Sequence, residues 1–225
     1  MRSISECKAI IFDMDGLMID TERLALKAWQ LAGADFGFPI SDDIFITMVG
    51  RNRRDSDCIL VEIFGSDFPV DAVRKKRRTY VDGWIDEGKL AVKSGLLELL
   101  SFLDEISMPK AVATSTGYER AIHKLSLTNL LDHFPIVIAG DQIQKGKPAP
   151  DIFLAAAMRL GVLPEGCLVL EDSDAGIQAA YDAGMIPVMI PDMKPPSEKS
   201  LTFAHRIFGG LGEFHSYFRK SLELM

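Results

Sequence analysis

The apolar residues of this chain follow two patterns, and the change between them divides the sequence into parts. From Ser94 onward, segments with helical spacing alternate with short continuous apolar runs, which is typical of βα units that form a parallel sheet. One earlier run, Ala9–Phe12, has the length and composition of a buried strand. Between Asp20 and Lys89 we find only helical spacing, in segments separated at Gly33–Pro39, Val49–Asn52 and Gly65–Pro69.

The part after Ser94 predicts a series of strands and helices. The strands are Lys110–Thr114, Pro135–Gly140, Cys167–Glu171 and Ile186–Ile190. The helices are Leu96–Ile106, Glu119–Leu127, Asp151–Leu160, Ala175–Ala183 and a weaker one over Phe208–Leu224. Asp151 is the expected N-cap of its helix, Gly184 ends the next one, and Pro191–Glu198 is interpreted as a turn or linker. With Ala9–Phe12, the sheet is predicted to have five strands.

These patterns together predict an α/β fold with a Rossmann-like parallel sheet and a small all-helical domain inserted after the first strand. The core would comprise residues 1–17 and 90–225, and the helical insert residues 18–89. A chain of 225 residues is long enough to bury a sizeable core of this kind without disulfide bonds.

Composition narrows the class of protein. A hydrophobic fraction of 48% with 25% charged residues is ordinary for a water-soluble enzyme, and no apolar run approaches the ~18 residues of a membrane span. The cysteines, Cys7, Cys58 and Cys167, lie in or beside apolar runs without CxxC spacing, which favours a reducing compartment. We therefore expect a cytoplasmic protein without a membrane partner.

The net charge of −7 argues against general binding to nucleic acid. Two local basic clusters, Arg51–Asp55 and Arg74–Arg78, are interpreted as mostly solvated helix faces, although a subset of their residues could meet an anionic substrate. The large aromatic residues Trp84, Phe208 and Phe218 are assigned to the core rather than to an interface, which favours a monomer.

Polar side chains follow four of the predicted strands, at the edge where ligands bind in parallel sheets. They are Asp13 and Asp15, Thr114–Thr116, Lys147, and Glu171–Ser173. Carboxylates from two loops suit a divalent cation such as Mg²⁺, whereas hydroxyl groups, free N–H groups and a lysine bind phosphate oxygens. Any one of these groups alone could close a turn or cap a helix, but their combination favours phosphate chemistry.

The same residues carry a resemblance to a known family. "DMDGL" resembles the DxDG[TVL] signature of the haloacid dehalogenase-like superfamily, and "VATST", "KGKPAPDIF" and "LEDSDAG" follow in the order of that superfamily's later motifs. The likeness covers nearly the whole chain. It implies an α/β core of the haloacid dehalogenase type, with the helical insert over residues 18–89 as its small cap domain.

The resemblance also implies a mechanism and a set of site residues. Asp13 would be the nucleophile that forms an aspartyl-phosphate, and Asp15 would act first as general acid and then as general base. Mg²⁺ would be held by the Asp13 side chain, the Asp15 backbone oxygen and Asp172, with Glu171 as a further ligand or an outer partner. The phosphoryl oxygens would be bound by Thr114, the Ser115 backbone and Lys147.

Asp15 distinguishes branches within the superfamily, because an enzyme that removes halide needs no acid at that position. The cap placement and the letters "DTER…AW" look closest to the β-phosphoglucomutase-like branch, which contains both phosphatases and mutases. The mutases carry a histidine where this chain has Ala25. The prediction is therefore a Mg²⁺-dependent phosphatase acting on a small phosphorylated metabolite, such as a sugar phosphate.

Two other functions stay open. Arg53 matches a cap arginine that binds a second phosphate, and Lys76 is a weaker match to a cap lysine, so a β-phosphoglucomutase-like phosphohexomutase is the alternative. A non-catalytic binding protein is the third hypothesis, although no candidate catalytic position carries an inert residue.

Overall fold

The computed structural model of the protein describes residues 3–51 and 53–224. These residues divide into two units. The first, called the sheet unit, contains the segments up to Ile19 and from Ala91 onward, and the second, called the helical unit, contains Asp20–Leu90. Within the described residues, none of the helices combines the length and the apolar character needed to cross a membrane.

The sheet unit is built on parallel strands in the order β3-β2-β1-β4-β5-β6. These are β1 (Ala9–Phe12), β2 (Lys110–Thr114), β3 (Val137–Ala139), β4 (Cys167–Glu171), β5 (Ile186–Met189) and β6 (Arg206–Ile207). The order reverses between β1 and β4, which is the place where ligands bind in sheets of this topology. The predicted α/β fold is confirmed, but the prediction of five strands missed β6, a two-residue strand at the sheet edge.

Helices fill both units. The helical unit holds α1 (Thr21–Asp35), α2 (Asp42–Met48), α3 (Arg53–Phe64) and α4 (Val70–Asp86). The sheet unit holds α5 (Leu96–Glu105), α6 (Tyr118–Leu127), α7 (Asp151–Leu160), α8 (Asp174–Asp182), α9 (Glu198–Phe203) and α10 (Leu211–Glu223). The N-cap residue of α7 is Pro150, so the prediction of Asp151 was wrong by one position. The short helix α9 was not predicted; Ser197 caps it at the end of the predicted turn.

β1 is buried along its whole length, as its continuous apolar run predicts. Because successive side chains of a strand point to opposite faces, Ala9 and Ile11 share one face. They belong to a single cluster of buried residues with Phe153 and Ala156 of α7. Burying a side chain such as Phe153 contributes roughly 1.5–3 kcal/mol. This packing fixes the end of β1, where the first candidate site residues follow.

α5 and α10 pack closely at Gly95, the residue before α5. Its φ is +82°, in the left-handed region, and a Cβ at this position would collide with the backbone of Gly212 in α10. Phe102 of α5 and Phe218 of α10 meet edge to face, with ring centroids 6.3 Å apart. The contact therefore needs a glycine for two reasons, backbone conformation and space.

The helical unit has its own core. α1 packs along α4, and Trp29 of α1 is buried. A second apolar cluster joins Phe38, Phe64 and Phe68, whose ring centroids lie 5.1–5.7 Å apart. Aromatic pairs at such distances stabilise the packing beyond the area they bury.

Gly95→Ala should lower the free energy of unfolding by about 2–4 kcal/mol, because the new methyl group meets the α10 backbone at a positive φ. Gly210→Ala is the control: its backbone is extended, and no atom lies within 4 Å of an added Cβ. We expect less than about 1 kcal/mol for this control. Urea unfolding followed by circular dichroism measures both. Equal losses would contradict the close packing of α5 on α10.

Candidate active site

The ends of β1 and β4 bring two buried carboxylates and a lysine together. Asp13 follows β1 directly and is 6% exposed, and Glu171, the last residue of β4, is 1% exposed. Lys147 Nζ lies 2.5 Å from Asp13 Oδ1 and 2.6 Å from Glu171 Oε1. The same ammonium group donates to the Ala113 carbonyl of β2 at 3.2 Å. Lys147 therefore links the ends of three neighbouring strands.

Burial and neighbouring charges set the protonation of this pair. Burial is the main reason that the pKa of Asp13 is raised to about 7; the charge of Lys147 opposes the rise, and that of Glu171 adds to it. Burial alone would lower the pKa of Lys147, but the charges of Asp13 and Glu171 raise it above its usual value. Lys147 is therefore a fixed cation, and further positive charge here would favour the ionised form of Asp13.

The residues at this edge fit a divalent metal ion. Asp13, Glu171 and Asp172 each place a carboxylate oxygen within 4.8 Å of the others. An all-oxygen donor set suits Mg²⁺ and other hard cations. The backbone after β1 is shaped to admit Asp172, because Gly16 has a φ of +90° and a Cβ there would collide with the Asp172 carboxylate.

Glu171 is held through both of its oxygens. Oε1 accepts from Lys147, and Oε2 accepts from the N–H and the Oγ of Ser173 at 2.7 and 2.9 Å. A Cβ at Gly176, in the first turn of α8, would collide with this carboxylate. Glu171 thus positions Lys147 and the loop that carries Asp172.

The carboxylate of Asp15 lies against residues of β2 and α6. Thr116 Oγ1 donates to Asp15 Oδ2 at 2.6 Å, and Thr114 Oγ1 donates to the same oxygen at 3.4 Å. Lys124 Nζ donates to Asp15 Oδ1 at 2.6 Å. The Thr116 N–H in turn donates to Thr114 Oγ1 at 3.1 Å. The predicted acid and base therefore lies beside a predicted phosphate-binding residue.

Sequence reasoning did not identify Lys124. It lies on the buried side of α6 together with Ala121 and Leu125. A lysine is rarely buried unless it is paired, so a lysine at an apolar position of an amphipathic helix is the signal that could have predicted a carboxylate partner.

Ser115 follows Thr114 in the loop between β2 and α6, and it is exposed. Its backbone packs tightly on the next loop, because a Cβ at Gly140 would collide with the Ser115 carbonyl oxygen. The loop is therefore held close to the end of β3.

Two nearby acids have structural partners. The Asp141 carboxylate accepts the N–H of Tyr118 at 3.0 Å, at the start of α6. Asp174 accepts from the Ser200 hydroxyl and, at 3.3 Å, from the Ser197 N–H. These bonds order α6 and α9.

In the helical unit, Arg53 lines a pocket of about 260 Å³. Trp29 also lines this pocket, and the guanidinium groups of Arg74 and Arg77 lie over its ring, 5.0 and 5.7 Å from the centroid. Such cation–π contacts orient guanidinium groups on an aromatic surface. Arg53 itself pairs with Asp71 at 2.8 Å. The pocket is therefore rich in cationic side chains.

Lys76, the other predicted cap residue, lies elsewhere on the helical unit. It is exposed and pairs with Asp35 at 3.5 Å, and its ammonium group lies over the ring of Tyr80, 5.2 Å from the centroid. Lys76 is not among the described residues that line the pocket of Arg53. The structure thus places Arg53 on the pocket and Lys76 outside it.

The chain matches a known protein family over most of its length. The family described as haloacid dehalogenase-like hydrolase matches residues 10–190. This chain belongs to that family. The matched segment of the hydrolase runs from β1 to the end of β5, so it includes every strand end that carries a candidate residue. The predicted resemblance is confirmed.

Relatives and solved structures agree with this assignment. The hydrolase is 35% identical to fructose-1-phosphate phosphatase YqaB of Escherichia coli, over 78% of this chain and 92% of that protein. It is 33% identical to the phosphorylated carbohydrates phosphatase of Thermotoga maritima, over 79% of this chain and 82% of that protein. The crystal structure of HAD hydrolase, family IA, variant 3 from Entamoeba histolytica has a TM-score of 0.78 at 25% identity, covering 97% and 100% of the two chains. The predicted enzyme class, a phosphatase of this family, is confirmed.

Mg²⁺ should stabilise the hydrolase against thermal unfolding, because it would reduce repulsion among the carboxylates of Asp13, Glu171 and Asp172. At about 100 times its Kd, a ligand that binds only the folded state contributes about 2.7 kcal/mol. Thermal melting with Mg²⁺ and with chelator should therefore differ by several degrees, and Asp172→Asn should reduce this difference.

Asp174→Asn is the matched control, because Asp174 lies two residues further on and is bound to Ser197 and Ser200. Its own melting temperature can fall, but its response to Mg²⁺ should equal that of the wild type. A full response in Asp172→Asn would contradict the metal site.

Proposed function

We propose that this hydrolase is a Mg²⁺-dependent phosphatase that hydrolyses a small phosphorylated metabolite, such as a sugar phosphate, through an aspartyl-phosphate intermediate. One observation carries the proposal: the Asp13 carboxylate lies 2.5 Å from the buried Lys147 ammonium where the strand order reverses. Asp15 lies beside the hydroxyl groups of Thr114 and Thr116. The proposed nucleophile, the proposed proton carrier and a buried cation thus share one edge of the sheet.

In the first step, a carboxylate oxygen of Asp13 attacks the phosphorus atom, and the bond between phosphorus and the ester oxygen breaks. Asp15 gives its proton to that oxygen, so that the alcohol leaves uncharged. Lys147 offsets the charge of the phosphoryl oxygens during the transfer, and the Thr114 hydroxyl and the Ser115 backbone bind them.

In the second step, water attacks the phosphorus atom of the aspartyl-phosphate. Asp15 takes a proton from the water, and the bond between phosphorus and Asp13 breaks. Inorganic phosphate is released, the Asp13 carboxylate is restored, and Asp15 again carries a proton. The sum is one ester and one water converted into one alcohol and one phosphate.

The Asp13 side chain, the Asp15 backbone oxygen and the Asp172 side chain would hold the Mg²⁺. Glu171 fits the role of an outer partner, because Lys147 and Ser173 already donate to its two oxygens. When bound, the cation would neutralise charge on the phosphoryl oxygens.

The proposed substrate class rests on the relatives and on the helical unit. The named phosphatases of Escherichia coli and Thermotoga maritima act on fructose 1-phosphate and on phosphorylated carbohydrates. Arg53 is proposed to contact the leaving group, since it lines a cationic pocket. Ala25, where the mutases carry a histidine, also lines this pocket and supports a phosphatase. Cytoplasmic location and a monomeric state stay predictions.

Asp13→Asn should lower the release of phosphate from small sugar phosphates by at least about 10³-fold, because the amide cannot attack phosphorus. Phosphate release is measured with Mg²⁺ and with chelator over a panel of sugar phosphates, and the chelator should also abolish it. Asp141→Asn is the control, because Asp141 caps α6. We expect it to stay within about 3-fold of the wild type.

The same panel can contradict the proposal. Full activity in Asp13→Asn would exclude this nucleophile. Isomerisation of a hexose phosphate in the presence of a bisphosphate primer, without net release of phosphate, would instead establish a mutase.

Arg53→Ala should raise KM for the best sugar phosphate by about 10–100-fold with little change in kcat, because a charged contact to the substrate is lost. Its side chain is 69% exposed, so folding should be preserved. Lys76→Ala is the control, with less than about 2-fold change in KM expected for an exposed residue paired with Asp35. Equal effects of the two substitutions would count against a role for the pocket in substrate selection.

A further inference from the structure

Lys124 is a second buried lysine beside the site, and it binds the proposed proton carrier. It is 8% exposed, and its Nζ lies 2.6 Å from Asp15 Oδ1. The other oxygen, Oδ2, accepts from Thr116 Oγ1 at 2.6 Å. Because each carboxylate oxygen has its own short bond to a different residue, the Asp15 side chain is held in one orientation.

Two lysines, Lys147 and Lys124, bind different acids of the site. Lys147 binds Asp13 and Glu171, whereas Lys124 binds Asp15. Charge neutralisation of Asp13 therefore does not account for Lys124. A buried ammonium is costly unless it is paired, so the Lys124 contact constrains where Asp15 can lie.

The position of Lys124 is set by the packing of α6. Ala121 and Leu125 are fully buried on either side of it along the helix, so the stem of the lysine has little freedom. The bond to Asp15 joins residues 109 apart in the sequence, from α6 to the turn after β1. The place of the carboxylate therefore depends on how α6 docks on the sheet.

Resting on the proposed function, we propose that Lys124 and Thr116 are positioning residues that hold the Asp15 side chain, whose carboxyl group gives a proton to the ester oxygen and whose carboxylate then takes a proton from water. Proton transfer requires the two heavy atoms to lie within hydrogen-bond reach. A displacement of about 1 Å can lower a rate by about 10²-fold. Neither residue is assigned to bind substrate or metal.

The leaving group provides the test. A sugar phosphate has an alcohol leaving group that needs a proton, whereas p-nitrophenyl phosphate releases a stable phenolate without one. In single-turnover measurements, Lys124→Met should slow alcohol release from fructose 1-phosphate by about 10²-fold. The release of p-nitrophenolate in the same variant should change by less than about 3-fold, because Asp13 and Lys147 are unaffected.

Lys110→Met is the matched control. Lys110 is also a buried lysine, 7% exposed, on the strand that precedes α6, and its ammonium group pairs with Asp104. Its loss removes a comparable ion pair away from Asp15, so the rates with both esters should stay within about 3-fold of the wild type.

A second pair of variants tests the same proposal without removing a buried lysine. Thr116→Val removes the hydroxyl group that binds Asp15, whereas Thr116→Ser keeps it. Thr116→Val should slow fructose 1-phosphate cleavage selectively, and Thr116→Ser should restore the wild-type rate. Circular dichroism and thermal melting establish that each variant is folded.

The outcomes separate this proposal from the proposed function. Equal losses with both esters in Lys124→Met and Thr116→Val, or no loss with either, would overturn the positioning role while leaving the phosphatase intact. A wild type that releases phosphate from no sugar phosphate of the panel, or full activity in Asp13→Asn, would overturn the proposed function and this inference with it.

Discussion

The site depends on the ion pairs that Lys147 forms with Asp13 and Glu171, because these pairs allow the two carboxylates to be buried together. An unpaired buried charge costs several kcal/mol, and two neighbouring carboxylates would also repel each other. One ammonium group cannot neutralise the three carboxylates of Asp13, Glu171 and Asp172. A divalent cation bound at these carboxylates would offset their negative charge, and in the proposed mechanism it would let a phosphate dianion approach.

This electrostatic arrangement constrains the backbone around it. Gly16 and Gly176 are positions where a Cβ would collide with the carboxylates of Asp172 and Glu171. The packing of these carboxylates therefore requires glycine at both positions. The short turns after β1 and β4 consequently tolerate little change in sequence. A rigid turn after β1 also fixes the position of Asp15 relative to Asp13.

The two units are constrained to different degrees. The sheet unit carries the motifs that resemble those of the haloacid dehalogenase-like superfamily, and in it Asp13, Asp15 and Glu171 each pair with a lysine. A TM-score of 0.78 at 25% identity shows that this fold tolerates wide changes in sequence. The helical unit instead presents an arginine-rich pocket built around Trp29.

The sequence by itself determined the strands and the acidic edge. A strand buried on both faces reads as a continuous apolar run, and the polar residues that follow it must lie at the ligand-binding edge of a parallel sheet. Asp13, Asp15, Lys147 and Asp172 could be named for that reason. Short or weakly patterned features, such as β6 and α9, left no comparable signal.

Only the tertiary structure decided which charged groups meet. Asp15 and Lys124 are 109 residues apart, and their contact depends on the docking of α6 on the sheet. The bonds of Glu171 to Lys147 and Ser173, which support its proposed role as an outer partner, likewise depend on the folded structure. Local patterns fix which residues face inward, but pairing between distant residues is fixed by packing, which no single segment encodes.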